Sequence, residues 1–170
     1  MSGHVGSGEP SPSDTEVTLK LGRAQLSALR SVLGQVGEIG SVEEDAAARR
    51  LLPPASTERT VADEFAEMTE RELRSRHVAD ELTLDAVLER GSDDQLTMTS
   101  EEADACVRAV GAARIALAAR LGMYDDGAKR FGFRQRAAVD FLGYIQDQLV
   151  TALMAHMPDA GNNHGNMEKG

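Results

Sequence analysis

Tryptophan is absent from this 170-residue chain, the other aromatics amount to four Phe and two Tyr, and there is one cysteine, Cys106. With so few rings, a core has to be built from Leu, Val, Ile, Ala and Met. A single cysteine excludes an intramolecular disulfide and any zinc cluster assembled from several thiolates. No apolar run approaches the roughly 18 residues that a membrane-spanning helix needs, so no membrane contact is expected. Positive charge is also in deficit. Eighteen Lys and Arg stand against 28 Asp and Glu, a net charge of −10. Such a chain is repelled as a whole by nucleic acid and by anionic lipid, and any contact with DNA has to come from a local patch. Met1 to Glu16 carry no apolar segment behind their charges. They read as a polar tail and not as an export signal, which places the chain in the cytoplasm.

Catalytic patterns are missing too. No Gly-rich phosphate loop follows a strand, no G-x-S-x-G occurs, and no Cys/His pair is arranged for nucleophilic attack. The carboxylates fall on polar helix faces where nothing would raise their pKa. The expectation is therefore a protein that is not an enzyme, with no catalytic residue, no cofactor and no metal.

The length suits one domain with tails: residues 1–15 disordered, 16–157 a single helical domain, 158–170 disordered. Glu16 to Lys20 alternate apolar and polar and predict a short strand. Leu26, Leu29, Val32, Leu33 and Val36 then recur at helical spacing from about Arg23. Ser41 with Glu44 reads as a capping box opening a second, shorter helix that Pro53-Pro54 ends. Thr60 with Asp63 opens a third. Thr69 with Glu72 repeats the capping signal, predicting a break or kink there, and the helix beyond runs to about Arg90 with Leu73, Leu84, Val87 and Leu88 on one stripe. Gly91 to Asp94 form a turn, and Gln95 to Thr99 a second short strand. Thr99 with Glu102 caps a long helix with Ala103, Cys106, Val107, Val110, Leu117 and Leu121 as its apolar face, and Gly122 suits its C-terminus. A final helix carries Ala138, Phe141, Leu142, Ile145, Leu149 and Leu153.

The spacing of Leu19-x-Leu21, Leu26, Leu29, Leu33, Gly34 is repeated by Leu96-x-Met98, Ala103, Cys106, Val110, Gly111. Both read as strand, cap and amphipathic helix. The expected fold is mainly α, a compact bundle of about five or six helices, with the two strands paired into a minor β element that needs helix support.

Several of these segments carry a family likeness. Leu29 to Val36, Arg50 to Pro53, Glu64 to Arg74, Arg114 to Gly122 and Phe141 to Val150, in this order and at these distances, resemble an actinobacterial family catalogued as a domain of unknown function. Part of that family is labelled the oxidative stress transcriptional regulator AosR. The likeness covers about Val17 to Leu153. It implies a transcription regulator of the oxidative stress response working alongside a sigma factor of RNA polymerase. For that regulator it also implies oxidant sensing by a disulfide between two nearby cysteines. Cys106 has no second cysteine in this chain, so the disulfide does not transfer; sensing would be intermolecular, through a small-thiol adduct, or absent.

Two stretches qualify as sites. Cys106 is the redox candidate, set against its position on an apolar stripe, where a free cysteine acts as a small hydrophobe. Lys129, Arg130, Phe131, Phe133, Arg134 and Arg136 form the one basic cluster with aromatics interleaved, the composition that meets phosphates and stacked bases. The competing reading tucks Phe131 and Phe133 into the core and leaves the charges solvated. His77 with Glu81 supplies a helical pair and no third metal ligand. Between Thr60 and Arg90 nine acidic residues face four arginines. That region is either a partner surface or a solvated face laced with pairs such as Glu67 with Arg71 and Glu70 with Arg74. Two functions follow: a regulator contacting sigma factor or polymerase and, through Lys129 to Arg136, promoter DNA; or a cytosolic adaptor that uses the acidic helices and binds no DNA. The oligomeric state is open.

Overall fold

A computed structural model describes residues 16–37, 45–52, 61–92, 94–124 and 132–156, with the backbone alone for 61–67. Strand β1 (Glu16–Lys20) pairs antiparallel with β2 (Gln95–Thr99), Val17 opposite Met98 and Leu19 opposite Leu96. The two-residue period of a strand puts these four side chains on one face, where all are buried. The Leu21 amide continues the ladder by donating to the Asp94 carbonyl at 2.9 Å. Gly91, in the turn before β2, has no room for a side chain, since a Cβ there would lie 2.4 Å from Cδ2 of Leu96.

Among the described residues there are also five helices: α1 (Arg23–Val36), α2 (Ala46–Leu51), α3 (Val61–Arg90), α4 (Ser100–Arg120) and α5 (Phe133–His156). The fold is mainly α with a two-stranded ribbon, as the periodicities predict. Among the described residues no helix is long and apolar enough to cross a membrane.

Helix α4 is the hub, packed against the four other helices and both strands. The sequence marked one apolar face on it. Instead Ala103, Ala105, Cys106, Ala109, Val110, Gly111, Ala112, Ala113, Ala116 and Ala118 are buried around most of its circumference, while Val107 and Leu117 are half-buried. The reason is side-chain size. A helix clad in Ala and Gly lets neighbours approach from several directions, and α5 comes close enough that a Cβ on Gly111 would sit 2.7 Å from Nε2 of Gln146.

The capping box at Thr99 is present. Thr99 Oγ1 accepts from the Glu102 amide at 3.2 Å and Glu102 Oε2 accepts from the Thr99 amide at 2.9 Å. Seventy-seven residues earlier Gly22 and Gln25 repeat half of it, the Gly22 amide donating to Gln25 Oε1 at 2.9 Å. The sequence echo thus extends from the strands into the caps, with Leu26 and Leu29 buried on α1 where Ala103 and Cys106 are buried on α4. Gly122, at φ 70°, closes α4. Its amide donates to Ala119 and that of Met123 to Ala118, each at 2.9 Å, so two carbonyls that the helix end would orphan are satisfied.

Two boundaries differ from expectation. Helix α3 runs unbroken through Thr69. Glu, Met, Arg and Leu around that residue are strong helix formers, and the Arg74–Glu70 (3.2 Å) and Arg76–Glu72 (3.9 Å) pairs support the turns just beyond it. Helix α2 begins after Asp45, whose carboxylate accepts from the Ala47 amide at 3.0 Å. Ser41, Glu44 and Thr60, and the tails predicted for 1–15 and 158–170, lie outside the described residues.

Candidate functional site

Cys106 sits where α4 faces α3 and the ribbon, 1% exposed. Burial pushes its thiol up to about 12, the Glu102 carboxylate pushes the same way, Arg90 opposes them, and Asp80 adds a smaller push upward. Reactive thiolates need the reverse, an exposed sulfur beside cations. Arg90 is instead committed to Glu102, to which it donates, and that hydrogen bond, ahead of the Thr99 amide, holds the Glu102 carboxyl below the usual carboxylate range. Arg108, the cation nearest to Cys106 in sequence, points away to Asp80.

The Asp80 contact is one of two pairs, among the described residues, that join a buried aspartate to a partly exposed arginine and that the sequence did not reveal. Arg108 donates to Asp80 through Nε at 2.9 Å and Nη2 at 2.8 Å, and also to Asp104. Arg120 donates to Asp45 through Nε at 2.9 Å and Nη2 at 2.8 Å, and through Nη1 to the Val36 carbonyl. Hydrogen bonding by these aspartates raises both guanidinium pKa values further. With Asp45 also capping α2, the second pair fastens the ends of α1 and α4 to the start of α2. Both pairs tie helices together: Asp80 and Asp45 are buried, and each carboxylate is engaged by two nitrogens of its arginine. Among the described residues no cluster of three or more His, Cys, Asp or Glu is placed to hold a metal ion. His77 is half-buried on α3.

The basic stretch divides. Lys129, Arg130 and Phe131 lie outside the described residues, while Phe133, Arg134 and Arg136 form the first turn of α5 and are all exposed. Phe133 is 89% exposed, which corrects the reading that tucked its ring into the core. The buried stripe of α5 starts only at Val139 and continues through Leu142, Ile145 and Leu149, so the first turn stands clear of the bundle. Arg136 meets Asp140 at 3.9 Å with both side chains about 70% exposed, a pairing weak enough in water to leave the guanidinium available.

Helix α3 offers the opposite charge. From Met68 to Ala79 its described side chains are exposed or half-buried, and its core contacts begin at Asp80. Beyond that point a cleft of about 500 Å³ opens between α1 and α3 above α4. Ala109 and Ala113 form its floor, Leu33, Leu84 and Leu88 its walls, and Glu81, Asp85 and Glu89 line its α3 side. Arg30 crosses from α1 to donate to the Leu88 carbonyl. Nothing in local sequence could announce this cleft, because it joins helices distant along the chain; the one hint was the density of acids on α3.

No curated protein and no solved structure matches the chain. The model of one family, DUF2017, a domain of unknown function, matches residues 8–153. That match takes in both strands and all but the last turn of α5, and the chain therefore belongs to the DUF2017 family.

Proposed function

We propose that this chain regulates transcription in the oxidative stress response by contact with a sigma factor or RNA polymerase and, through the first turn of α5, with promoter DNA. The family likeness of its segments suggests the process. The observation that carries the contact is Phe133, held 89% exposed between the exposed Arg134 and Arg136. An aromatic ring projecting into water beside two cations does nothing for the stability of its own domain, yet it can stack on a base while the cations meet phosphates. The chain's charge of −10 requires any such contact to use a local basic patch, and this stretch supplies one. In this reading the oxidant signal reaches the protein through its partners, because the thiol of Cys106 is buried and resists ionisation.

The test is a pull-down of tagged protein from its own lysate, combined with binding of promoter fragments at several salt concentrations. Capture of polymerase or sigma factor is expected, with DNA binding that falls as salt rises. Phe133→Ala with Arg134→Gln and Arg136→Gln should weaken binding to DNA and flatten its salt slope by about 0.9 for each phosphate no longer neutralised. Failure to capture either protein, together with no salt-dependent DNA binding, would sink the proposal. The adaptor reading has its own support in α3, where Met68 and Leu82 are each 65% exposed among carboxylates. It gains if the captured partners are unrelated to transcription and the α5 variant changes nothing.

A further inference from the structure

We infer that the cleft between α1 and α3 is a docking groove for a basic amphipathic helix of a partner protein. Its volume of about 500 Å³ accommodates several aliphatic side chains. Ala109 and Ala113 lie one turn apart on its floor and let a guest approach closely, with Leu33, Leu84 and Leu88 as apolar walls. Asp85 and Glu89 stand four residues apart along α3, so their carboxylates are spaced by about 6 Å. Lysines or arginines at i and i+4 of a helix lying alongside have the same pitch. Apolar residues entering a groove while flanking charges pair along its rim is the helix-in-groove mode of recognition.

Charge selects the occupant. Neighbouring residues of this chain, 38–44, include Glu38, Glu43 and Glu44, the same sign as the rim. A second copy carries −10 overall and is repelled likewise. Arg30, the one cation among the described lining residues, is held on the Leu88 carbonyl, so Asp85 and Glu89 leave the rim negative and a cationic helix from another protein is the complement. The inference rests on the protein-partner half of the function proposed above, although nothing in the groove requires that partner to belong to the transcription machinery.

Gly34 provides the test. It lies at the mouth of the cleft, and a Cβ built there meets nothing within 4 Å. Gly34→Leu therefore places bulk in the groove without a clash, and replaces glycine by a stronger helix former. The probes are two labelled helical peptides of about five turns, one of Leu and Lys and one of Leu and Glu, titrated against the full chain by fluorescence anisotropy. The Leu/Lys peptide should bind and weaken with salt, whereas the Leu/Glu peptide should not bind. Gly34→Leu should weaken the Leu/Lys peptide by at least about tenfold with a melting temperature equal to or above that of the parent. Asp85→Asn with Glu89→Gln should weaken binding and flatten its salt dependence. Unchanged affinity in Gly34→Leu would mean unspecific attraction to an acidic protein and would overturn the groove. So would concentration-dependent self-association by sedimentation that Gly34→Leu abolishes, which would assign the cleft to a second copy. A refuted groove alongside intact capture of polymerase or sigma factor would leave the proposed function standing.

Discussion

Alkylation of Cys106 tests the packing of α4 and the source of any redox response together. The thiol is 1% exposed, and burial with two nearby carboxylates moves it from an ordinary 9.0 up to about 12. A rise of about three pH units leaves roughly a thousandfold less thiolate near neutrality, and the thiolate is the species that attacks iodoacetamide or peroxide. Labelling native protein at pH 8, followed by intact mass, should thus proceed at least about a thousandfold more slowly than labelling in guanidinium. Because the sulfur is also inaccessible, the residual rate should report the opening of the fold and fall further in any variant that is more stable. The same ionisation gives a signature in stability. Folded protein keeps the thiol protonated while the unfolded chain releases the proton above the ordinary thiol range, so the unfolded state binds fewer protons there. Stability must then fall as pH rises from about 9 towards about 12, with a slope of up to about 1.4 kcal/mol per pH unit from this group. Cys106→Ala should lack that component. Native labelling within tenfold of the unfolded rate, or an alkaline slope unchanged in Cys106→Ala, would refute the buried, protonated thiol and restore Cys106 as a direct oxidant sensor.

Asp45→Ala removes the cap of α2 and the bidentate partner of Arg120, and should cost about 2–4 kcal/mol in urea unfolding, a cap contributing about 1 kcal/mol and a part-buried ion pair the rest. Asp80→Ala should cost less, because the Arg108 it strands is 43% exposed where Arg120 is 27% exposed; the reverse ranking would discredit this comparison. Glu102, held by Arg90 below the ordinary carboxylate range, contributes stability that is present above the unfolded value of about 4.3 and lost as pH falls below it. Glu102→Gln keeps an acceptor for the Thr99 amide and should flatten that acid limb in thermal melts recorded between pH 3 and 6; an unchanged limb would remove Glu102 from the account. In hydrogen exchange, α3 amides from Met68 to Ala79 should exchange much faster than those from Asp80 onward, since a helix lacking a buried face is marginal in water. Uniform protection along α3 would mean that its first half is covered by a second chain in solution.

What the sequence disclosed, and what it concealed, divides by the range of the interaction. Strands, turn and the Thr99 cap rest on residues within four positions of one another, and alternation or a capping pair reports them directly. The false break at Thr69 is the converse case, a capping signal overridden by helix formers on both sides. Burial around α4 could not be read, because alanine scores weakly on any apolar face and its role here is to be small. The Asp45–Arg120 pair joins residues 75 apart in the chain, and no periodicity encodes it. The cluster at Lys129 to Arg136 was legible as composition. Whether its Phe133 would be inside or outside depended on where the buried stripe of α5 begins, and that is set by packing against α4.

The repeated unit shows how side-chain size alone assigns different roles to one local pattern. β1 with α1 and β2 with α4 share strand, cap and helix spacing, down to the third helical residue that reaches back to its cap. On α1 the repeated positions hold Leu26, Leu29 and Leu33, large side chains that commit the helix to a single inward face. On α4 they hold Ala103, Cys106 and Val110, and further alanines surround them, so neighbours close in from several sides. Enlarging the hub should therefore hurt where enlarging its counterpart does not. Ala116 is 0% exposed on a helix that neighbours approach from several sides, and Ala116→Leu should cost about 1–3 kcal/mol by overpacking. Gly34→Leu on α1 should cost nothing, since its Cβ enters open space. Equal losses from the two, measured by urea unfolding, would mean that α1 is packed as tightly as α4, with neither a central hub nor an open cleft beside it.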